Sequence, residues 1–138
     1  MDMKAYNEQV IREFRANKGE VGGPLEGTPL LLLSTTGAKS GRRHTTPLGY
    51  VSDGERLVVF ASVLGAPNNP AWYHNVAAHP EVTVETGDEA FDAKAVVAEG
   101  AERARLWALA VDSYPFLEDH QAKTTRRIPV IALERRED

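Results

Sequence analysis

Two turn dipeptides, Asp53-Gly54 and Gly87-Asp88, each stand between strand-like runs, and this punctuation constrains the fold more than any other feature of the chain. HTTPLGYV (44–51) and RLVVFAS (56–62) flank the first pair; EVTVET (81–86) and AFDAKAVVA (90–98) flank the second. Gly, Asp and Asn tolerate the positive φ of tight hairpin turns, so such pairs between strand-like runs signal hairpins. LLLLST (30–35) and RIPVIALE (127–134) add two further strands. Helical spacing predicts three helices. In 5–18, Tyr6, Val10 and Phe14 recur every four residues with Ile11 beside them. A short helix starts at PNNPAW, with Asn69 as its cap and Pro70 in its first turn. A third covers 101–114, with Leu106, Ala110 and Tyr114 on one side. Strands and helices do not alternate regularly, which argues against a parallel Rossmann sheet. The expected class is α+β: a small antiparallel barrel of about six strands with peripheral helices.

No repeat, low-complexity tract or linker interrupts the 138 residues, so a single domain is expected, with 1–27 a helix and loop and 28–134 the barrel core. The chain has no cysteine, which removes disulfides, iron–sulfur clusters, thiolate zinc and cysteine nucleophiles. The start, MDMKAYNEQVIREF, holds no apolar run of signal-peptide type. Leu30 to Leu33, the longest apolar run, is far short of the ~20 residues that span a bilayer. A soluble, cytoplasmic protein is expected. The net charge of −4 argues against a nucleic-acid partner. Charge distribution says more. No acid lies between Glu26 and Asp53, where Lys39, Arg42 and Arg43 cluster, or between His120 and Leu133, where Lys123, Arg126 and Arg127 stand. Cationic pockets in an acidic protein suit a small anionic ligand.

STTGAKSGRRHTTPL (34–48) is the strongest motif. Glycines let successive backbone N–H groups turn toward one side and form an anion-binding concavity. Lys39, an arginine and the Ser40 hydroxyl can add charge-assisted bonds to it. An exposed basic hairpin turn is the competing reading. A phosphate loop of the Walker A type is rejected, because Ala38 precedes the lysine and Leu33 stands where another glycine is needed. His74 and His79, five residues apart, diverge by roughly 140° on a helix, and no zinc-protease spacing or GxSxG elbow occurs, so no metal or serine-hydrolase site is expected. GAPNNPAWYHN (65–75) reads as a loop entering a helix N-terminus, suited to polar ligand contacts or to plain core packing of Trp72. In Tyr114-Pro115-Phe116 the tyrosine is either core or a pocket-rim hydroxyl able to give a proton.

Read together, TTGAKSGRRHTTPL, ASVLGAPNNPAWYHN with AAHPEVTV, and TTRRIPVIALE resemble the deazaflavin-dependent nitroreductase family, split-barrel proteins of actinobacterial type that use coenzyme F420. The resemblance runs in order through nearly all of 28–134 and leaves out the N-terminal helix. It implies that Lys39, Ser40 and Gly41 bind the coenzyme's phosphate, helped by Arg42 or Arg43. It further implies that Thr46 and Pro47 lie along the coenzyme, Ser62 and Ala66 near the deazaflavin ring, and Pro70, Ala71, Trp72 and Asn75 against its other contacts. The chain departs from the family at His44, where an arginine is frequent, and at Val63, where a lysine is. The implied reaction is hydride transfer from reduced F420 to a small-molecule electron acceptor: a quinone first, then nitroaromatics and activated enones. Quinone use implies peripheral membrane contact without insertion. Tyr114 holds the position of a substrate-side tyrosine, as proton donor or positioner; two further family tyrosines are here Leu117 and His120, and His120 is a second possible donor. An FMN-dependent split-barrel enzyme and a non-catalytic deazaflavin carrier are the alternatives.

Overall fold

The computed structural model describes residues 3–23, 27–62, 68–87 and 89–136. In chain order the elements are α1 (Met3–Ala16), β1 (Leu30–Thr36), β2 (Arg43–Gly49), β3 (Val51–Asp53), β4 (Arg56–Phe60), α2 (Ala71–Ala78), β5 (Glu81–Glu85), β6 (Ala90–Val97), α3 (Gly100–Ser113), α4 (Phe116–Ala122) and β7 (Val130–Arg135). All strand pairs are antiparallel, in one sheet ordered β2-β1-β5-β6-β7-β4-β3.

β2 and β3 occupy opposite edges of that order, yet Tyr50 alone separates them in the chain. Consecutive Cα atoms are only ~3.8 Å apart, so the sheet must curl until its two edges meet at this residue. The result is a split barrel whose seam lies at Tyr50. The expected strand 44–51 is therefore two: it pairs with β1 up to Gly49 and, from Val51, with β4. Hydrogen bonding divides it and, among the described residues, raises the strand total from the expected six to seven. A segment that changes partners has to bend, and a bend leaves no alternation signal in the residues.

β1 explains its own uniform run of leucines. Leu31 and Leu33 point into the barrel beside Val59, Trp72, Val76 and Ile131, while Leu30 and Leu32 pack under Val10 and Phe14 of α1. A strand covered on both faces has no polar side to show. Each such leucine is worth about 1.5–3 kcal/mol relative to exposure. On the other flank, Leu106 and Ala110 of α3 close over Val51, Val58 and Val130. Asp53, in the β3–β4 hairpin, receives hydrogen bonds from Arg105 of α3 and from Arg56, which hold its carboxyl well below the usual carboxylate range.

Two sequence expectations need correction. Asn69 does not cap α2: the N-cap position is Pro70, without a side-chain bond, and Asn69 Oδ1 instead accepts from Arg126 Nη1 at 2.8 Å. A charge-assisted bond outcompetes the neutral cap. Secondly, the described residues hold four helices and not the three expected: past the end of α3, Pro115 takes the N-cap position of α4, a seven-residue helix too short to show a period, which buries Leu117 and His120.

Candidate functional site

The 37–42 loop joins β1 to the edge strand β2, and its shape is built by its glycines and its main chain. Gly41 sits at φ +71, a left-handed conformation that favours glycine, and a Cβ on Gly37 would collide with Ser40 Oγ. Gly37 N donates to the Arg42 carbonyl at 2.7 Å and Gly41 N to the Gly37 carbonyl at 3.0 Å, closing the turn. Arg42 N donates to Ser40 Oγ at 3.2 Å, which leaves the Ser40 hydroxyl hydrogen available. Among the described residues, the backbone N–H groups of Lys39 and Ser40 have no acceptor. Both residues are exposed. These two donors, the Lys39 ammonium and the Ser40 hydroxyl are what the loop can offer an anion on the side of the cleft.

Asn75 anchors the loop from α2. Its Oδ1 accepts from Ala38 N at 3.0 Å, and its Nδ2 donates to Thr35 Oγ1 at 3.1 Å, so one buried amide fixes strand, loop and helix together. The β1–β2 register sorts the residues that follow. His44 faces Thr35 and Thr46 faces Leu33, which puts both on the interior side with Trp72 and Asn75. Arg43 faces Thr36 on the α1 side, where its guanidinium donates to Thr36 Oγ1 at 3.1 Å and Thr83 Oγ1 at 2.7 Å.

Around this edge strand lies a cleft of about 1030 Å³. Lys39, Ser40, Arg43, His44 and Thr46 line it from the loop and β2; Ala71, Trp72 and Asn75 line it from α2. Asn7, Glu8 and Ile11 of α1 form its third wall. Sequence reasoning missed that wall. The only signal was Ile11, set off the Tyr6/Val10/Phe14 stripe. Trp72 is both things the sequence allowed, a core residue 7% exposed and a lining residue of the cleft. Gly41 and Arg42 belong to the loop without lining the cleft, and neither Pro47 nor Pro70 lines it. Ala66 and Val63 lie outside the described residues.

A second cluster gathers at the start of segment 63–67. Ser62 Oγ and His120 Nδ1 are 2.6 Å apart, both buried. Arg126 donates to the carbonyls of Ala61 at 2.9 Å and Ser62 at 2.7 Å and to Asn69 Oδ1 at 2.8 Å. The sequence offered Arg126 as a cation for a ligand; the fold binds it to the protein's own carbonyls. Burial, and then Lys123, push the His120 imidazole below its ordinary value, with Asp119 opposing.

Tyr114 lies elsewhere, at the seam. Its hydroxyl donates to the Tyr50 carbonyl at 3.0 Å, and burial pushes its phenol up. It lines a separate cavity of about 460 Å³ with Pro29, Ser52, Leu109 and Ser113. Ring contacts nevertheless connect it to the second cluster, from Phe60 through Tyr114 and Phe116 to His120, with centroids 5.4, 5.7 and 5.0 Å apart in turn. Among the described residues there is no group of acids and histidines placed to hold a metal, and no helix long and apolar enough to cross a membrane.

A family model described as F420H(2)-dependent quinone reductase matches residues 6–135. The chain is 39% identical over 127 residues to an F420H(2)-dependent quinone reductase of Mycobacterium tuberculosis, an alignment covering 89% of this chain and 85% of the relative. Among solved structures, an F420-H2 dependent reductase, FDR-A, aligns with a TM-score of 0.71 at 44% identity, over 77% of this chain and 94% of its own. Another, described as a domain-swapped dimer, aligns with a TM-score of 0.74 at 38% identity, over 97% of this chain and 100% of its own.

Proposed function

The chain belongs to the F420H(2)-dependent quinone reductase family, and from its own geometry we propose how it binds the coenzyme and serves the acceptor. It is an oxidoreductase that uses coenzyme F420, with quinone-type acceptors as its substrate class. When bound, the reduced coenzyme supplies a hydride.

The donor set at the cleft fits a phosphate-bearing ligand. Lys39 brings a charge, the free N–H groups of Lys39 and Ser40 bring oriented dipoles, and the Ser40 hydroxyl adds a third kind of donor. His44 stands in the place of the family's frequent arginine, and the β2 register supports it rather than Arg43 as the replacement, because His44 shares the interior face with Asn75. Thr46, Ala71 and Trp72 then form the walls along the coenzyme, with Gly41 giving the loop its turn. Gly41, Arg42, Pro47 and Pro70 shape or flank the site. Ser62 borders the ring, and His120 and Tyr114 serve the acceptor: His120 as proton source and Tyr114 as positioner. Nitroaromatics and activated enones are secondary acceptors, and lipid-phase quinones would be met at a membrane surface.

The observation that carries this reading is the pair of unengaged backbone donors beside Lys39, at the mouth of a cleft walled by α2. The test is a fluorescence titration of the purified protein with oxidised F420 and, separately, with FMN, followed by oxidation of reduced F420 with 2-methyl-1,4-naphthoquinone. Saturable binding of F420 alone with turnover of the quinone is expected. Preference for FMN would overturn the coenzyme reading.

A further inference from the structure

We infer that Ser62 and His120 act as one proton-delivery pair, in which Ser62 Oγ protonates the reduced acceptor and His120 Nδ1 replaces that proton. The inference rests on the reading that Ser62 borders the coenzyme ring. Its geometry is this chain's own.

The Ser62–His120 contact of 2.6 Å is at the short end of the range for hydrogen bonds, and the two residues are 7% and 9% exposed. A short bond in a dry place defines a path for a proton, and either atom can donate along it. Ser62 is also held from behind, since its carbonyl accepts from Arg126 Nη2 at 2.7 Å while the same guanidinium secures Ala61 and Asn69. The hydroxyl therefore stays in register with the imidazole. On its other side, His120 contacts the ring of Phe116, which is 48% exposed, so the histidine lies one ring from solvent. Tyr114 is less well placed to donate, because its hydroxyl hydrogen is already on the Tyr50 carbonyl.

The step balances as follows. Bound reduced F420 would supply a hydride, and with it two electrons, to the quinone, which would become a hydroquinone mono-oxyanion. The Ser62 O–H bond breaks as the product O–H bond forms, and the Nδ1–H bond of the His120 imidazolium breaks as the Ser62 O–H bond re-forms. Neutral imidazole remains and regains a proton from water. The charged groups around it are Asp119 on α4, Lys123 at the C-cap of α4 and Arg126 behind Ser62; Asp119 favours the imidazolium and Lys123 opposes it. Because burial disfavours the cation, the imidazolium is the stronger acid once formed.

The experiment uses the full chain with reduced F420 and 2-methyl-1,4-naphthoquinone, measuring kcat against pH over about pH 5 to 8. The wild type should lose kcat as pH rises, along a limb centred below about 6.5. Ser62→Ala and His120→Gln should each lower kcat by about 100-fold at the acid end at saturating F420, and the limb should vanish. The double variant should lose no more than either single one, since the residues act as a unit. Ser62→Thr, which keeps the hydroxyl, should restore the limb. Turnover of the wild type should also slow in D₂O. Should His120→Gln fail to fold, Ser62→Ala and the solvent isotope effect still decide. Normal F420 binding with an intact limb in Ser62→Ala refutes the pair and leaves the coenzyme reading standing. Absence of F420 binding in the wild type overturns both.

Discussion

Tyr114 donates its hydroxyl hydrogen to the main-chain carbonyl of Tyr50, 3.0 Å away and 64 residues earlier in the chain. Tyr50 is the single residue between the two edge strands, so this bond ties the end of α3 to the barrel's seam.

Tyr114→Phe removes that bond and keeps the ring packing against Phe60 and Phe116. A loss of about 1 kcal/mol in unfolding free energy is expected by urea denaturation, with kcat lowered less than about tenfold. A larger fall in kcat at unchanged stability would make Tyr114 a proton donor instead of a positioner.

Lys39→Ala removes the one ammonium of the loop. A charge-assisted bond is worth about 1.5–3 kcal/mol, so the F420 dissociation constant should rise roughly 10- to 150-fold in a fluorescence titration. Lys39 is exposed, so thermal stability should stay as it is. Unaltered affinity would remove the loop from the phosphate site.

Asn75→Ala cuts the link among β1, the loop and α2, leaving Ala38 N and Thr35 Oγ1 without their partner. The expected cost is about 1–3 kcal/mol of stability, accompanied by weaker F420 binding, because the loop loses its anchor. Both are measured on the same preparation, by denaturation and by titration.

Arg126→Ala removes the bonds that hold Ala61, Ser62 and Asn69. Stability should drop by about 2–3 kcal/mol, since a charged donor to buried carbonyls is lost. The kcat should fall more than the coenzyme affinity, because Ser62 loses its backing while the 37–42 loop is untouched. Equal effects on both would show that Arg126 acts on the whole cleft.

His120 also predicts a stability profile. Burial depresses its folded-state pKa, so between that value and the unfolded one the unfolded chain binds more protons than the folded. Stability from this group is complete above about pH 6.5 and is lost as pH falls through the folded value. Thermal melts should show His120→Gln less acid-sensitive than the wild type over that window. A parallel pair of curves would contradict the assignment.

Much of the barrel was legible in the chain because hairpins are local. Asp53-Gly54 joins strands only a few residues apart, and its glycine indeed sits at φ +61. The basic loop was equally legible, as glycines, lysine and serine in a row carry their own chemistry. Tyr50 was not. Its role as the point where the two edges meet depends on which strands pair at long range, and the residues around it read as one continuous strand. α4 was hidden by its length, and the wall that α1 gives the cleft by the distance between Ile11 and the loop it faces.

The residues by themselves determined most of the strand segments, the glycine-rich basic loop and, through the order of their motifs, the family. Those features are set by backbone preference and side-chain chemistry within a few positions. Only the tertiary structure decided that Arg126 grips Ala61, Ser62 and Asn69, that Asn75 secures the loop, and that Ser62 meets His120. Each of these bonds joins groups 37 to 65 residues apart. Such a bond forms because burial removes water from both partners and leaves each the other's best hydrogen-bond partner, and burial is a property of the folded whole.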